Sequence, residues 1–161
     1  SNGGTQFRWA ENTEDRNALW TARHNAYFAA QALKPGCKAI TTDVCVPISR
    51  LADCILAAEE AAKESDLLCP IVGHVGDGNF HLLIVFNPAE YDELEAARKL
   101  SAKVVEGALA VGGTCTGEHG IGSGKKEYLR TEHGNAVEIM ATLKRALDPN
   151  NIMNPGKVLD I

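Results

Sequence analysis

The chain has 161 residues, of which 45% are hydrophobic and 23% are charged, and its formal net charge is −5 at pH 7. These values predict one globular domain with a hydrophobic core. The acidic balance and the scattered basic residues argue against a nucleic-acid partner, and no apolar run is long enough to form a transmembrane segment.

Five cysteines, without any Cys-x-x-Cys pair, argue against a disulfide framework and against a cysteine zinc finger. We expect reduced thiols, as in a cytoplasmic compartment. No signal-peptide pattern opens the chain. Because the chain does not start with methionine, we also expect a fragment of a longer protein.

Hydrophobic periodicity predicts helices that alternate with strands. In chain order, the predicted elements are a short strand over 6–10, a helix over 15–33, a strand over 39–46, a helix over 49–65, strands over 71–75 and 80–86, a helix from residue 87 toward 112, and a last helix over 135–147. The two adjacent strands predict an antiparallel hairpin. The fold class is therefore α+β, a mostly antiparallel sheet with helices packed on one face, in ferredoxin-like units.

Two helix starts have specific signals. Asn87 is a suitable cap, Pro88 suits the first helical position, and Glu90 is placed to reach back to a free backbone N–H. Asn135 and Glu138 have the spacing of a capping box.

The first candidate site is the hairpin itself. If Asp77-Gly78 forms a two-residue type I′ turn, His74 lies opposite His81, with Cβ atoms about 4.5–5.5 Å apart. Two imidazoles in that arrangement can bind one metal ion, while Val75 and Phe80 point to the other face. A longer turn would break this register, although the histidines could still converge. The alternative is a hairpin with two incidental polar residues.

The second candidate site is the glycine-rich stretch 117–124, which contains Glu118 and His119. Four glycines carry an entropic cost that often reflects close approach to a ligand. Glu118 can supply a carboxylate ligand to the histidine pair, and His119 can act as a general base. A phosphate loop is excluded because Lys126 stands where Ser or Thr is required. A flexible surface turn is the alternative.

Three segments together resemble the C-terminal domain of the FAD-linked oxidases, of the D-lactate dehydrogenase and glycolate oxidase type. They are HVGDGNFH at 74–81, GEHG at 117–120 and DPNNIMNPGK at 148–157. The segments LWTARHNA at 19–26 and TDVCVP at 42–47 are most similar to the D-lactate dehydrogenase branch. The resemblance covers nearly the whole chain.

This resemblance implies that residues 1–161 are a C-terminal substrate- and metal-binding domain, without the N-terminal domain that binds FAD. The parent would be a flavoprotein that oxidises a D-2-hydroxy acid to the 2-oxo acid with the help of a divalent metal, zinc or manganese. We expect the isolated fragment to be inactive. Thr41-Thr42 stand where relatives acting on larger dicarboxylates often carry a basic residue, which favours a small monocarboxylate.

The resemblance also implies roles for individual residues. His74, His81 and Glu118 would bind the metal, and His119 would take the hydroxyl proton.

Four further residues are expected around substrate and flavin. Arg23 would pair with the substrate carboxylate as a bidentate donor, and Tyr27, one turn further along the helix, would help to line the pocket. Asn79 would contact substrate or metal-bound oxygen. Asn154 would lie near the flavin ring.

The implied partners are the D-2-hydroxy acid and an electron acceptor for reduced flavin, while a homodimer stays open. A peripheral membrane location is also compatible, and a mitochondrial one if the source is eukaryotic. Two other functions compete with the dehydrogenase: a metal-dependent hydrolase, because two histidines and a carboxylate also suit a metal-activated water, and a non-catalytic ligand-binding module.

Overall fold

The structure, a computed structural model, describes residues 9–161. They form helices around a four-stranded antiparallel sheet, which confirms the α+β class. The elements are α1 (Thr13–His24), α2 (Ala26–Ala32), β1 (Lys38–Thr41), β2 (Val44–Cys45), α3 (Ile48–Glu64), β3 (Ile71–His74), β4 (Asn79–Phe86), α4 (Tyr91–Ala110), α5 (Lys126–His133) and α6 (Ala136–Leu147). The strand predicted over 6–10 falls largely outside the described residues, and 9–10 belong to no strand. Within 9–161, no helix is both long and apolar enough to cross a membrane.

Strand β4 is the centre of the sheet, and all eight of its residues are buried. β1 and β2 pair with one edge of β4, and β3 pairs with the other. The uninterrupted apolar run that ends at Phe86 explains this position, because a strand covered on both faces needs apolar side chains on both.

The two faces of β4 have different roles. Its alternate side chains Phe80, Leu82, Ile84 and Phe86 join the hydrophobic core with buried residues of α3 and α4. Each such side chain contributes about 1.5–3 kcal/mol on burial. The intervening residue His81 lines a cavity on the opposite face, together with residues of α1 and α2. Core packing therefore fixes the strand that carries the candidate site.

The strand predicted over 39–46 is interrupted at Thr42 and Asp43, although β1 and β2 face β4 in one continuous register. At the interruption, the Leu82 N–H donates to the Thr42 hydroxyl at 2.9 Å, and the His81 ring bonds the Thr42 carbonyl at 2.9 Å. Side chains thus replace part of the backbone ladder here.

The predicted two-residue turn is wrong. His74 lies opposite Asn79, and Val72 lies opposite His81, so the connection is four residues long. The Asp77 N–H donates to the His74 carbonyl at 2.9 Å, and this bond closes a turn over residues 74–77. The observed pairing is shifted by two residues from the predicted one. Because side chains alternate between faces, His74 and His81 still lie on the same face of the sheet, as diagonal neighbours.

Val75, which was predicted to face the core opposite Phe80, instead lies in the turn and is 61% exposed. Phe80 is buried as predicted. The longer turn explains the difference, because it removes Val75 from the strand.

The helix predicted over 15–33 is divided at Asn25 into α1 and α2. It begins two residues earlier than predicted, because the Asn12 side chain caps it by accepting from the Asp15 N–H at 2.8 Å. The division places Arg23 and Tyr27 on successive short helices above the cavity.

The helix predicted to start at Asn87 starts at Tyr91. Asn87 Oδ1 accepts from the Ala89 N–H at 3.0 Å, which forms a turn before the helix. Glu93, rather than Glu90, accepts from the Asn87 N–H at 2.6 Å. The predicted roles of Asn87 and Glu90 are therefore wrong, because the carboxylate that reaches back lies three residues further along the chain.

Helix α5 falls where no element was predicted, and it leads through Gly134 directly into α6. Asn135 already has a helical backbone conformation, and its side chain caps nothing. Glu138 accepts from Arg130 at 2.6 Å instead. The predicted capping box is wrong because the preceding helix leaves no extended residue to act as a cap.

Gly78→Ala should strongly destabilise the chain. Gly78 has φ +77°, and a Cβ there would lie 2.1 Å from the Val46 carbonyl oxygen, which is backbone. The backbone conformation alone costs about 1–3 kcal/mol for a residue other than glycine, and the contact adds to it. Urea unfolding would measure the loss.

Gly36→Ala is the matched control, because Gly36 has φ +84° and open space around its Cβ position. It should show the conformational cost without the contact. Equal losses of stability in the two variants would contradict the close approach at Gly78.

Candidate metal and substrate site

Three imidazoles converge on one carboxylate oxygen. Glu118 Oε1 lies 3.0 Å from His81 Nε2, 3.3 Å from His74 Nε2 and 3.3 Å from His119 Nε2. The rings of His74 and His81 have centroids 5.4 Å apart, and so do the rings of His81 and His119. The structure therefore brings together all four residues predicted to bind metal or move a proton.

The orientation of His81 is set by Thr42. Nδ1 of His81 lies 2.9 Å from the Thr42 carbonyl, which can only accept, so Nδ1 carries the proton and donates. Nε2 then has a free lone pair directed toward Glu118. A backbone carbonyl that fixes the tautomer in this way is a common support for metal-binding histidines.

Arg23 connects α1 to the site. Its guanidinium bonds the His74 ring, with Nη2 near Nδ1 and 3.3 Å from Nε2. It also lies over the Trp20 ring, with the guanidinium carbon 5.2 Å from the ring centroid. Arg23 is thus beside the histidine cluster and lines the same cavity.

Charge on Glu118 is favoured by its neighbours. Burial raises the pKa of this carboxyl, but the adjacent imidazoles His74, His81 and His119 outweigh it, and the pKa lies below its usual 4.5. Glu118 is therefore a carboxylate at neutral pH, which is the form that binds a metal.

The glycine-rich loop is held by Asp43. Its carboxylate is buried and accepts from the backbone N–H groups of Glu118 (3.1 Å) and His119 (2.8 Å) and from the Thr116 hydroxyl (2.9 Å). Asn79 Nδ2 donates to the other oxygen at 3.1 Å. Burial raises the pKa of Asp43, but these hydrogen bonds prevail and lower it from 3.8 to about 2.

Asn79 lies beneath the loop and does not line the cavity. Its Nδ2 donates to Asp43 and to the Val44 carbonyl at 3.1 Å, and its Oδ1 is buried with no hydrogen-bond partner in the described part of the chain. A Cβ at Gly117 would lie 2.2 Å from Asn79 Nδ2, so the loop requires glycine to pass over this side chain. The predicted substrate contact of Asn79 stays a prediction.

The cluster opens into a cavity of about 350 Å³ between the sheet and the α1–α2 pair. Arg23 and Tyr27 contribute to its wall from the helices, and Val72 and Leu83 contribute apolar surface from the sheet. A groove of about 980 Å³ lies elsewhere, between α4 and α5, and contains none of the converging residues. Asn154 lies in the exposed C-terminal segment, outside the cavity lining, and its predicted flavin contact stays a prediction.

The donor set fits a divalent metal. Ligands about 2.0–2.2 Å from a tetrahedral zinc lie roughly 3.3–3.6 Å from one another. The three imidazole nitrogens lie 3.0–3.3 Å from Glu118 Oε1, which is close to that separation. Among the described residues, Asp43, His81, Glu118 and His119 can each place a ligand atom within 4.8 Å of the others. The predicted ligand His74 is not part of this set, although its Nε2 lies 3.3 Å from Glu118 Oε1. Asp43 is the poorest ligand, because it already accepts several hydrogen bonds and faces Nδ1 of His81, at 3.8 Å, rather than Nε2.

A family model described as FAD linked oxidases, C-terminal domain, matches residues 1–158. The chain belongs to this family. It is 54% identical over 161 residues to a probable mitochondrial D-lactate dehydrogenase of Danio rerio, covering 99% of the chain and 32% of that protein. It is 45% identical over 157 residues to the mitochondrial D-lactate dehydrogenase [cytochrome] of Arabidopsis thaliana, covering 97% and 28%.

A bacterial relative is the glycolate oxidase subunit GlcD of Bacillus subtilis, 38% identical over 150 residues, covering 92% of the chain and 32% of that protein. This domain of the FAD-linked oxidases therefore spans about a third of the length of the curated relatives it matches.

Asp43 and its role were missed from the sequence. The available signal was an acidic residue in the apolar, β-rich stretch 39–46. A charge in such a stretch is buried, and a buried charge needs hydrogen-bond donors. No sequence pattern indicates that these donors come from the loop more than seventy residues away.

The charge of Asp43 should make the free energy of unfolding depend on pH. Its folded-state pKa, about 2, lies below the ordinary 3.8, so the charge stabilises the fold above about pH 4 and the contribution is lost as pH falls toward 2. A shift of this size corresponds to about 2 kcal/mol. Urea unfolding between pH 2 and 7 would measure it against Asp43→Asn.

The difference in unfolding free energy between the two proteins should be largest above pH 5 and should shrink below pH 4. Lost hydrogen-bond geometry in the variant adds an offset that does not depend on pH. A difference that stays constant across the whole range would contradict the lowered pKa.

Proposed function

We propose that this chain is the substrate- and metal-binding domain of an FAD-dependent D-2-hydroxy-acid dehydrogenase of the D-lactate dehydrogenase type. The observation that carries the proposal is the convergence of His74, His81 and His119 on Glu118 Oε1, at the end of a cavity that Arg23 also lines. The names of the relatives, D-lactate dehydrogenase and glycolate oxidase subunit, support a small 2-hydroxy acid as the substrate.

His74, His81 and Glu118 would hold the metal, zinc or manganese. When bound, a divalent metal supplies positive charge that favours the deprotonated form of a neighbouring hydroxyl. The protein contributes preorganisation: Thr42 fixes the His81 tautomer, and Asp43 fixes the backbone of Glu118. These contacts would keep the ligand atoms in place when a metal binds, so that binding requires little reorganisation.

His119 is the group best placed to move a proton. Its ring lies against Glu118 and at the cavity wall, and its backbone N–H is held by Asp43. An imidazole is suited to accept the substrate hydroxyl proton near neutral pH. FAD, bound by the parent's other domain with Asn154 close to its ring, would supply the hydride acceptor.

Arg23 would orient the substrate through its carboxylate. A guanidinium presents two parallel donors that match the two carboxylate oxygens, and with Arg23 beside His74 the neighbouring hydroxyl would lie at the histidine cluster. Tyr27 would limit the pocket on the same side. Asn79 would act through Asp43 and the loop in addition to its predicted substrate contact.

The relatives also suggest a setting. Those from Danio rerio and Arabidopsis thaliana are named as mitochondrial, and the second name includes a cytochrome. We therefore favour a mitochondrial location for a eukaryotic source, and a cytochrome-type acceptor for electrons from reduced flavin. Peripheral membrane association and a homodimer are compatible with the proposal.

His81→Ala should abolish metal binding by the chain. Calorimetric titration with Zn²⁺ or Mn²⁺, together with metal content after dialysis, should show one ion per unaltered chain and none for the variant, because His81 supplies the most rigidly oriented ligand. His133→Ala is the matched control, since His133 pairs with Glu132 away from the cluster.

Equal binding by the unaltered chain and His81→Ala would contradict the ligand assignment. Hydrolysis of an activated ester by the metal-loaded chain, lost in the same variant, would favour the metal-dependent hydrolase instead. Binding of a D-2-hydroxy acid that a chelator does not change would favour the non-catalytic module.

In the full-length protein, His119→Asn should lower kcat for D-lactate oxidation by about 10²–10⁴-fold, because it removes the proton acceptor. Arg23→Ala should mainly raise KM, by roughly 10- to 100-fold, because it removes a charge-assisted contact made in the ground state as well. Steady-state rates with an artificial electron acceptor would measure both. Unchanged kcat in His119→Asn would remove His119 from the reaction.

A further inference from the structure

Lys125 is a buried charge that the proposed chemistry does not use. It directly precedes α5 and ends the glycine-rich loop. Its ammonium nitrogen is shielded from solvent and has no hydrogen-bond partner in the described part of the chain. That nitrogen lies 3.6 Å from Asp43 Oδ2. An ammonium group without hydrogen bonds is costly to bury, so the charge of Asp43 is the feature that makes its position tolerable.

The two ends of the loop therefore meet at one residue. At the first end, the Gly117 N–H donates to the Asp43 backbone carbonyl at 2.8 Å. At the other end, Lys125 faces the Asp43 carboxylate. Between them, the backbone N–H groups of Glu118 and His119 donate to the same carboxylate. Four glycines raise the conformational entropy that this segment loses when it is ordered. Contacts at both ends shorten the stretch of loop without contacts and so reduce that loss.

We propose that Lys125 is a positioning residue that closes the glycine-rich loop over Asp43 and thereby places Glu118 and His119. It acts through Asp43: the ammonium group holds the carboxylate charge in the orientation in which both oxygens face the loop N–H groups. The role of Glu118 and His119 in metal binding and proton transfer rests on the proposed function. Their placement by Lys125 does not.

The neighbouring Lys126 provides a matched comparison. Its ammonium group bonds the Gly156 carbonyl at 3.1 Å and pairs with Asp160, so it holds the C-terminal segment rather than Asp43. Removing its charge changes the net charge of the chain by the same amount as removing that of Lys125. A difference between the two variants therefore reports the position of the charge.

The test compares Lys125→Met, Lys125→Arg and Lys126→Met in this chain by NMR amide hydrogen exchange without metal. Lys125→Met should speed exchange at the Glu118 and His119 amides by at least about tenfold, with exchange in β4 unchanged. Lys125→Arg should restore most of the protection, because it keeps the charge. Lys126→Met should leave both amides as they are.

Zn²⁺ and Mn²⁺ titrations on the same proteins give a second readout, in which Lys125→Met should weaken binding by at least about tenfold. Unchanged exchange at Glu118 and His119 would overturn the proposal. Faster exchange in β4 by the same factor would also overturn it, since Lys125 would then support the whole fold. If the unaltered chain binds neither metal, the metal site fails, and the exchange experiment still decides the role of Lys125.

Discussion

The geometry of the site depends on the hydrogen bonds that the buried carboxylate of Asp43 accepts. It accepts hydrogen bonds from the hairpin residue Asn79 and from three loop residues, Thr116, Glu118 and His119. A buried carboxylate is stable only when its oxygens accept hydrogen bonds. If the loop moved away, the Asp43 carboxylate would lose its donors, at a cost in free energy. A glycine-rich segment is in this way given a defined conformation by a residue that lies between β1 and β2.

The central strand links stability to function. His81 lies between Phe80 and Leu82, whose side chains are anchored in the core beneath α3 and α4. Their packing fixes the backbone from which His81 projects to the other face, and the Thr42 carbonyl fixes its ring. The imidazole is thus held both by hydrophobic burial and by a hydrogen bond, which is the kind of support that a preorganised metal ligand requires.

Local patterns were sufficient to predict much of the fold. The apolar run of β4 and the periodicity of α3 predicted elements whose ends differ from the observed ones by at most one residue. The convergence of the two hairpin histidines on Glu118 was expected from glycine-flanked motifs and from the family resemblance. Helix boundaries were less predictable. The predicted cap Asn87 is bonded by Glu93 in a turn before the helix, and the predicted cap Asn135 already has a helical backbone conformation after α5.

The predicted hairpin register was wrong, but His74 and His81 still lie on the same face of the sheet, and the reason has an evolutionary consequence. Side chains alternate between faces along a strand, so a turn that grows or shrinks by two residues returns His74 to the same side as His81. A single inserted or deleted residue that shifted β3 would send His74 toward the core and a small apolar neighbour into the cavity. Changes in this turn that shift the pairing of β3 with β4 should therefore be tolerated in even steps and eliminated in odd ones.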